Sequence, residues 1–321
     1  MGGHALKNTN TIRIDLNTLN KTKKEIKNII GDEIIIAFPF ENPDKTDFGD
    51  IDILYQPESN IDIFNFIVKK FNPKEIVANG GVISFSYKLD ENNFVQIDFI
   101  KSKILNLSKF YFSYGDVGQI IGMMTKYYGL SFGDSGLFIK QFNNETFTEK
   151  IYLSDNIQEI CKYLDLDYFK WGSFLSEIEI FEWLKSSKMC HPNIFISGNH
   201  EHRHKILTRP MYGRFIKWLD NNCTQDKYNK YNKQNEAIEY FNKKDYLIKL
   251  LDNQLVLSNR KQKFNGNKLL ELKVVKDAKD LGKFIKAFKN NIEGLFGNFD
   301  NWLDTNNEII INKYIMEFNY K

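Results

Sequence analysis

Asp50 and Asp52 stand two residues apart in the segment GDIDIL at 49–54. Acid and apolar residues alternate through DIDILY, the period-2 pattern of a strand with one buried face. Alternate strand side chains share a face, so both carboxylates point one way while Ile51 and Ile53 point to the core. Two carboxylates side by side repel each other unless cations neutralise them. Mg²⁺ suits such a pair, because it takes carboxylate oxygens together with substrate phosphates. A third acid, Asp98, lies in FVQIDFIK between apolar Ile97 and Phe99. If its strand lies beside the first, the three carboxylates form one cluster. Such a cluster would run phosphoryl transfer with two divalent ions. One lowers the pKa of an acceptor hydroxyl, and the other grips the triphosphate and stabilises the leaving pyrophosphate. An Asp-x-Asp pair alone is commoner in loops and strand edges than in metal sites. The strand setting, the apolar flanks and the later lone Asp favour the metal centre.

The elements that must position these acids are legible on either side. Residues 17–31, NTLNKTKKEIKNIIG, read as a helix with Asn17 or Thr18 as cap, Leu19, Ile26 and Ile29–Ile30 on one face, and Gly31 as stop. EIIIAF follows as a buried strand, then the polar loop ENPDKTDFG and the acid-bearing strand. Residues 60–71 form a second helix. VISFSYKL and FVQIDFIK form two more strands, joined by a short turn at Asp90–Asn93. The order helix, strand, strand, helix, strand, strand predicts a small unit with a mixed sheet. Beyond residue 112 the pattern changes. GDVGQIIGMMTKYYGL is helical, with Gly118 and Gly122 four apart for close packing. SFGDSGLFIKQF and TFTEKIYL suit short strands. Helical text follows, with Asp155 and Ser176 as caps. The expected fold is therefore α+β: a mixed-sheet domain at 15–112, then a mostly helical domain at 113–321.

Composition sets outer limits. Of 321 residues, 42% are hydrophobic and 15% aromatic, ample for packed cores and against global disorder. The formal net charge of +3, from 44 basic and 41 acidic residues, is near balance. It neither announces a nucleic-acid protein nor excludes one. Cys161, Cys190 and Cys223 form no Cys-x-x-Cys, which argues against a zinc knuckle or disulfide framework and fits a reducing compartment. The first residues lack the apolar stretch of a signal peptide. Gly2 is followed by Leu6 where myristoylation wants Ser or Thr. Apolar runs such as IIIAF fall far short of the roughly 20 residues of a membrane helix. The expectation is a soluble, cytoplasmic protein with no membrane partner.

The stretch 34–54, IIIAFPFENPDKTDFGDIDIL, resembles the signature of the polymerase-β-like nucleotidyltransferase superfamily. That family places Gly-Ser after a strand, a loop of several residues, two acids alternating with apolar residues, and a third acid on a later strand. Poly(A) polymerases, CCA-adding enzymes, aminoglycoside nucleotidyltransferases and protein adenylyltransferases belong to it. The resemblance covers about residues 20–105 and implies a nucleotidyltransferase palm. It implies that Asp50 and Asp52 bind both metals, Mg²⁺ or Mn²⁺, and that Asp98 assists the acceptor-side metal. It also implies that an NTP such as ATP is substrate. One departure stands out. Pro39–Phe40 occupies the place of Gly-Ser, whose hydroxyl and amides hold triphosphate oxygens in the family. Proline has no N–H to donate, and phenylalanine has no hydroxyl. Lys45, Thr46 and the backbone at Gly49 offer a cation, a hydroxyl and a donor in their stead. The later FNGNKLLELKVVKDAKDLGKFIKAFKNNIEGLF is similar to the tail of CCA-adding enzymes, which implies an RNA acceptor; small residues on a helix more often mark packing.

Other segments carry less. SGNHEHRHK at 197–205 alternates His200, His202 and His204 among basic residues. It is a solvated loop, a phosphate or RNA contact, or a metal site, in falling order. No Gly-x-Ser-x-Gly occurs, so a serine-hydrolase elbow is unsupported. Trp171, Trp183, Trp218 and Trp302 read as core. A metal-dependent nuclease would want a lysine two residues after an acid, and Asp98 has Lys101 at three. The expected activity is transfer of a nucleoside monophosphate from an NTP to a hydroxyl, first of an RNA 3′ end. A protein side chain or small molecule is the second acceptor, and a binding protein on a decayed fold is the non-enzymatic rival.

Overall fold

The alternating segments build a five-stranded mixed sheet, seen in the computed structural model, which describes residues 4–57, 61–143, 146–196, 206–223, 232–275 and 277–319. The strands are β1 (Ile14–Asp15), β2 (Ile36–Ala37), β3 (Asp47–Phe48), β4 (Asp50–Tyr55), β5 (Ile76–Asn79), β6 (Val82–Lys88) and β7 (Phe94–Lys101). The large sheet runs β2-β4-β7-β6-β5, and β1 and β3 form a separate two-stranded pair. β4 and β7 are parallel, and the other neighbours antiparallel. Ile51 and Ile53 of β4, Phe85 of β6, and Val95, Ile97 and Phe99 of β7 are fully buried. They share a core with Leu19, Ile26 and Ile30 of α1 (Leu16–Ile30) and Ile63 and Ile67 of α2 (Ile63–Phe71). Each such side chain contributes about 1.5–3 kcal/mol by leaving water. This apolar packing seals one face of the sheet and fixes which face carries the polar residues.

Several local expectations shift. Asp15, not Asn17 or Thr18, caps α1: its carboxylate accepts the N–H of Thr18 at 2.7 Å. Gly31 does end the helix, at φ 60°. The expected buried strand EIIIAF reduces to Ile36–Ala37 on the sheet edge, with Ile35 56% exposed. An apolar run carries no period to separate a central strand from an edge. The Asp90–Asn93 turn forms as read, with Asp90 accepting the N–H groups of Asn92 and Asn93.

Beyond β7 come α3 (Leu105–Phe112) and α4 (Val117–Tyr127). Gly118 is the close contact: a Cβ there would lie 2.2 Å from the Tyr111 carbonyl oxygen. At Gly122 a Cβ would sit 3.5 Å from the Phe132 carbonyl oxygen, an ordinary distance. β8 (Ser131–Gly133), β9 (Gly136–Asn143) and β10 (Thr146–Ser154) form an antiparallel sheet ordered β10-β9-β8. Asn156 rather than Asp155 caps α5 (Ile157–Leu164), and Ser176 caps α6 (Glu177–Lys185) as expected.

The chain divides into two compact units, Met1–Asn242 and Lys243–Lys321. The pattern change near 112 falls inside the first. The second unit is helical in its described residues. Phe264, Leu269, Phe284, Phe288, Ile292 and Trp302 form its core. In its Asn-Gly segment, Asn265 caps the helix Gly266–Glu271, and Gly266 approaches Leu281 of the helix Ala278–Phe296. Among the described residues, no helix is long and apolar enough to cross a membrane.

Candidate metal centre

The parallel register of β4 and β7 places Asp52 opposite Asp98 and Asp50 opposite Gln96. All four side chains lie on the face turned away from α1 and α2. One oxygen from each of Asp50, Asp52 and Asp98 falls within 4.8 Å of the other two, and each residue is half-buried. Among the described residues, none of the three forms an ion pair with lysine, arginine or histidine.

Burial, and then neighbouring negative charge, shows in the titration of Asp52 and Asp98. The Asp52 carboxyl is pushed up to about 8, first by burial and then by Asp50, Asp98 and Glu41, with Lys45 pulling it back. Asp98 is raised by burial and by Asp50, against hydrogen bonds from Ser84 and Gln96. Three carboxylates so placed cannot all ionise without a cation beside them. The donor set is oxygen only, with no thiol or imidazole in the cluster, which suits Mg²⁺, Mn²⁺ or Ca²⁺ rather than zinc or copper. The residues present therefore fit a hard divalent ion.

The loop between β2 and β3 flanks the acids. The Lys45 ammonium lies 4.8 Å over the Phe48 ring, and its charge reaches Asp52. Thr46 is exposed. Gly49 is buried and lines a polar cavity of about 520 Å³ with residues of the segment His4–Arg13. Arg13 pairs with Asp47 and also senses Asp50.

Pro39–Phe40 has a structural role here. The Phe40 N–H donates to Ser113 Oγ at 2.9 Å, and its carbonyl accepts the Tyr114 N–H at 2.6 Å. Its ring lies 5.6 Å from Tyr114 and 5.0 Å from Trp171, with the Lys109 ammonium 4.2 Å away. Farther along, Asn42 Nδ2 donates to Glu177 Oε2 at 2.5 Å, and the Glu177 N–H donates to Asp44 at 3.0 Å. Arg214 grips the same Glu177 carboxylate with two bonds, at 2.6 and 2.7 Å. The loop is thus fastened to the start of α6 and to the helix Pro210–Asn222.

The structure brings Asp50, Asp52 and Asp98 together and sets Lys45 and Gly49 beside them. Sequence reading passed over Gln96, Ser84, Glu41 and the segment His4–Arg13. Gln96 had a signal: it stands two residues before Asp98 on the same strand face. The histidine segment 197–205 lies outside the described residues. No family model matches the chain, and a search of curated protein sequences returns no match.

Proposed function

We propose that the first unit is a metal-dependent nucleotidyltransferase centre of polymerase-β type, moving a nucleoside monophosphate from an NTP to a hydroxyl. One observation carries this: Asp52 and Asp98 in register on parallel strands, with Asp50 alongside and, among the described residues, no side-chain cation paired to any of them. Asp50, Asp52 and Asp98 would hold Mg²⁺ or Mn²⁺, which supplies Lewis acidity and neutralises phosphate charge. Asp98 would assist the ion on the acceptor side, where the metal lowers the pKa of the attacking hydroxyl. Lys45 brings positive charge from the fastened loop toward the triphosphate. It takes the part that Phe40 and Pro39 leave open, the first with its N–H bound to Ser113 and the second with none. The first-choice acceptor is an RNA 3′ end, with a protein side chain or small molecule second.

The commitment of the Phe40 N–H also favours a second reading, in which the centre binds metal and nucleotide without transfer. One assay separates them. The protein is incubated with each labelled NTP, Mg²⁺ or Mn²⁺, and total RNA or the protein alone. Label transferred by wild type and lost in D50A/D52A supports transfer, and the labelled species names the acceptor. RNA shortening points to a nuclease. NTP binding without label leaves the binding protein, and no metal-dependent NTP binding at all removes both the transferase and the nucleotide-binding reading.

A further inference from the structure

We propose that Gln96 is a positioning residue for Asp98, and that the backbone N–H of Ala5 sets it, so that the segment His4–Arg13 belongs to the metal centre. This role rests on the three acids being metal ligands. Gln96 is 2% exposed, and a buried amide needs partners for its donors and its acceptor. Its Oε1 accepts the Ala5 N–H at 2.9 Å. Its Nε2 donates to Asp98 at 2.9 Å to Oδ1 and 3.1 Å to Oδ2.

The opposite amide orientation is excluded on both sides. Turned over, the NH₂ group would face the Ala5 N–H, donor against donor. The amide oxygen would face the Asp98 carboxylate, acceptor against anion. Ala5 therefore decides which end of Gln96 meets Asp98. Ser84 bonds the same carboxylate from β6, where it is the register partner of Asp98. Asp98 is held from two sides, and its remaining lone pairs are aimed rather than free to rotate.

Ala5 is itself held in place. The N–H groups of Lys7 and Asn8 each donate to the Glu75 carboxylate at 2.9 Å. Ile12 N–H donates to the Phe94 carbonyl at 2.8 Å, and Ile14 pairs with Phe48 across β1 and β3. Leu6 is buried. A segment anchored at both β7 and β3 thus delivers one N–H to the amide that orients the third acid.

The test uses the full chain. Gln96→Met keeps length and volume but removes both donors. Ala5→Pro leaves Gln96 in place and removes the N–H that sets it. Each protein is stripped with EDTA and titrated with Mn²⁺ by calorimetry and by the Mn²⁺ resonance signal, and its melting temperature is read in EDTA. The expected result is a Kd for Mn²⁺ weakened roughly 10–100-fold in Gln96→Met, the usual effect of removing a group that orients a metal ligand. Ala5→Pro shifts Kd the same way by less, and its melting temperature without metal falls only slightly, as Gln96 Oε1 loses its partner. Wild-type Kd in both variants overturns the positioning role while leaving the metal centre standing. If Gln96→Met fails to fold, Ala5→Pro decides alone. If wild type itself binds no Mn²⁺, the metal centre fails and the positioning role falls with it.

Discussion

Asp52 makes the metal-free protein sensitive to pH in a direction opposite to most acids. Its carboxyl moves from an ordinary 3.8 to about 8 in the folded chain. Each pH unit between those values is worth about 1.4 kcal/mol, giving a ceiling of about 6 kcal/mol. Water relaxes part of this at a half-buried site, and about 2–3 kcal/mol is expected. The sign follows from proton counts. Below pH 4 the carboxyl is protonated in both states, and stability is full. From pH 4 to 8 the unfolded chain sheds the proton and the folded chain keeps it, so stability falls as pH rises. Asp98, also raised, acts in the same direction. Asp15, Asp47, Asp90 and Glu75 are held low by their hydrogen bonds, so their opposite effect lies in more acid solution. The assay is urea unfolding in EDTA at pH 5, 6, 7 and 8, followed by tryptophan fluorescence. Trp171, Trp183 and Trp218 all report on the first unit. Saturating Mg²⁺ should flatten the decline, because bound metal favours the ionised acids. Asp52→Asn should be flatter in EDTA, more stable than wild type at pH 8, and less responsive to metal. A wild-type curve flat in EDTA from pH 5 to 8, or an Asp52→Asn curve as steep as wild type, would refute the reasoning.

Other outcomes follow from the same structure. Gly118→Ala forces a methyl against the Tyr111 carbonyl oxygen and should lower stability by about 2–3 kcal/mol, whereas Gly122→Ala should stay within about 1 kcal/mol; thermal melts compare them. Arg214→Met strips the partner from the buried Glu177 carboxylate. With Arg214 itself half-open to water, a loss of about 2 kcal/mol is expected, and under the proposed activity KM for NTP rises more than kcat falls. Under the same proposed activity, Lys45→Ala should raise KM for NTP roughly tenfold, the loss of about 1.4 kcal/mol of charge attraction, while Mn²⁺ binding changes little.

The acid-bearing strands were readable because alternation is a local signal: Asp52 and Asp98 each sit between fully buried neighbours, and Asp50 is followed by one. The pairing of β4 with β7 was not local. β6 and β7 meet through a four-residue turn, but parallel β4 and β7 need the crossover through α2, and no period in the sequence writes that adjacency. Short elements left no trace for the same reason. Two-residue β1 and β3 have no periodicity to detect, and IVAN of β5 offers too few residues. The hydrogen bonds that orient the site cross long stretches of chain, from Ala5 to Gln96 and from Asn42 to Glu177, so composition and spacing could not reveal them. The change of pattern near 112 marks a change of element type. It lies inside the compact unit Met1–Asn242.

The fastening of the loop at Asn42 and Asp44 by Glu177 and Arg214 sets an order of events during synthesis. All three acids and the strands beneath them have been made once residue 101 has emerged, and the sheet packs from its own segments. The loop that carries Lys45 must wait for partners more than a hundred residues later in the chain. Contacts so distant in sequence form late, because the intervening chain must first be gathered in. A growing chain therefore has Asp50, Asp52 and Asp98 well before it has a fixed Lys45. Under the proposed function, a chain halted between α4 and α6 would take up a divalent ion while holding nucleotide poorly.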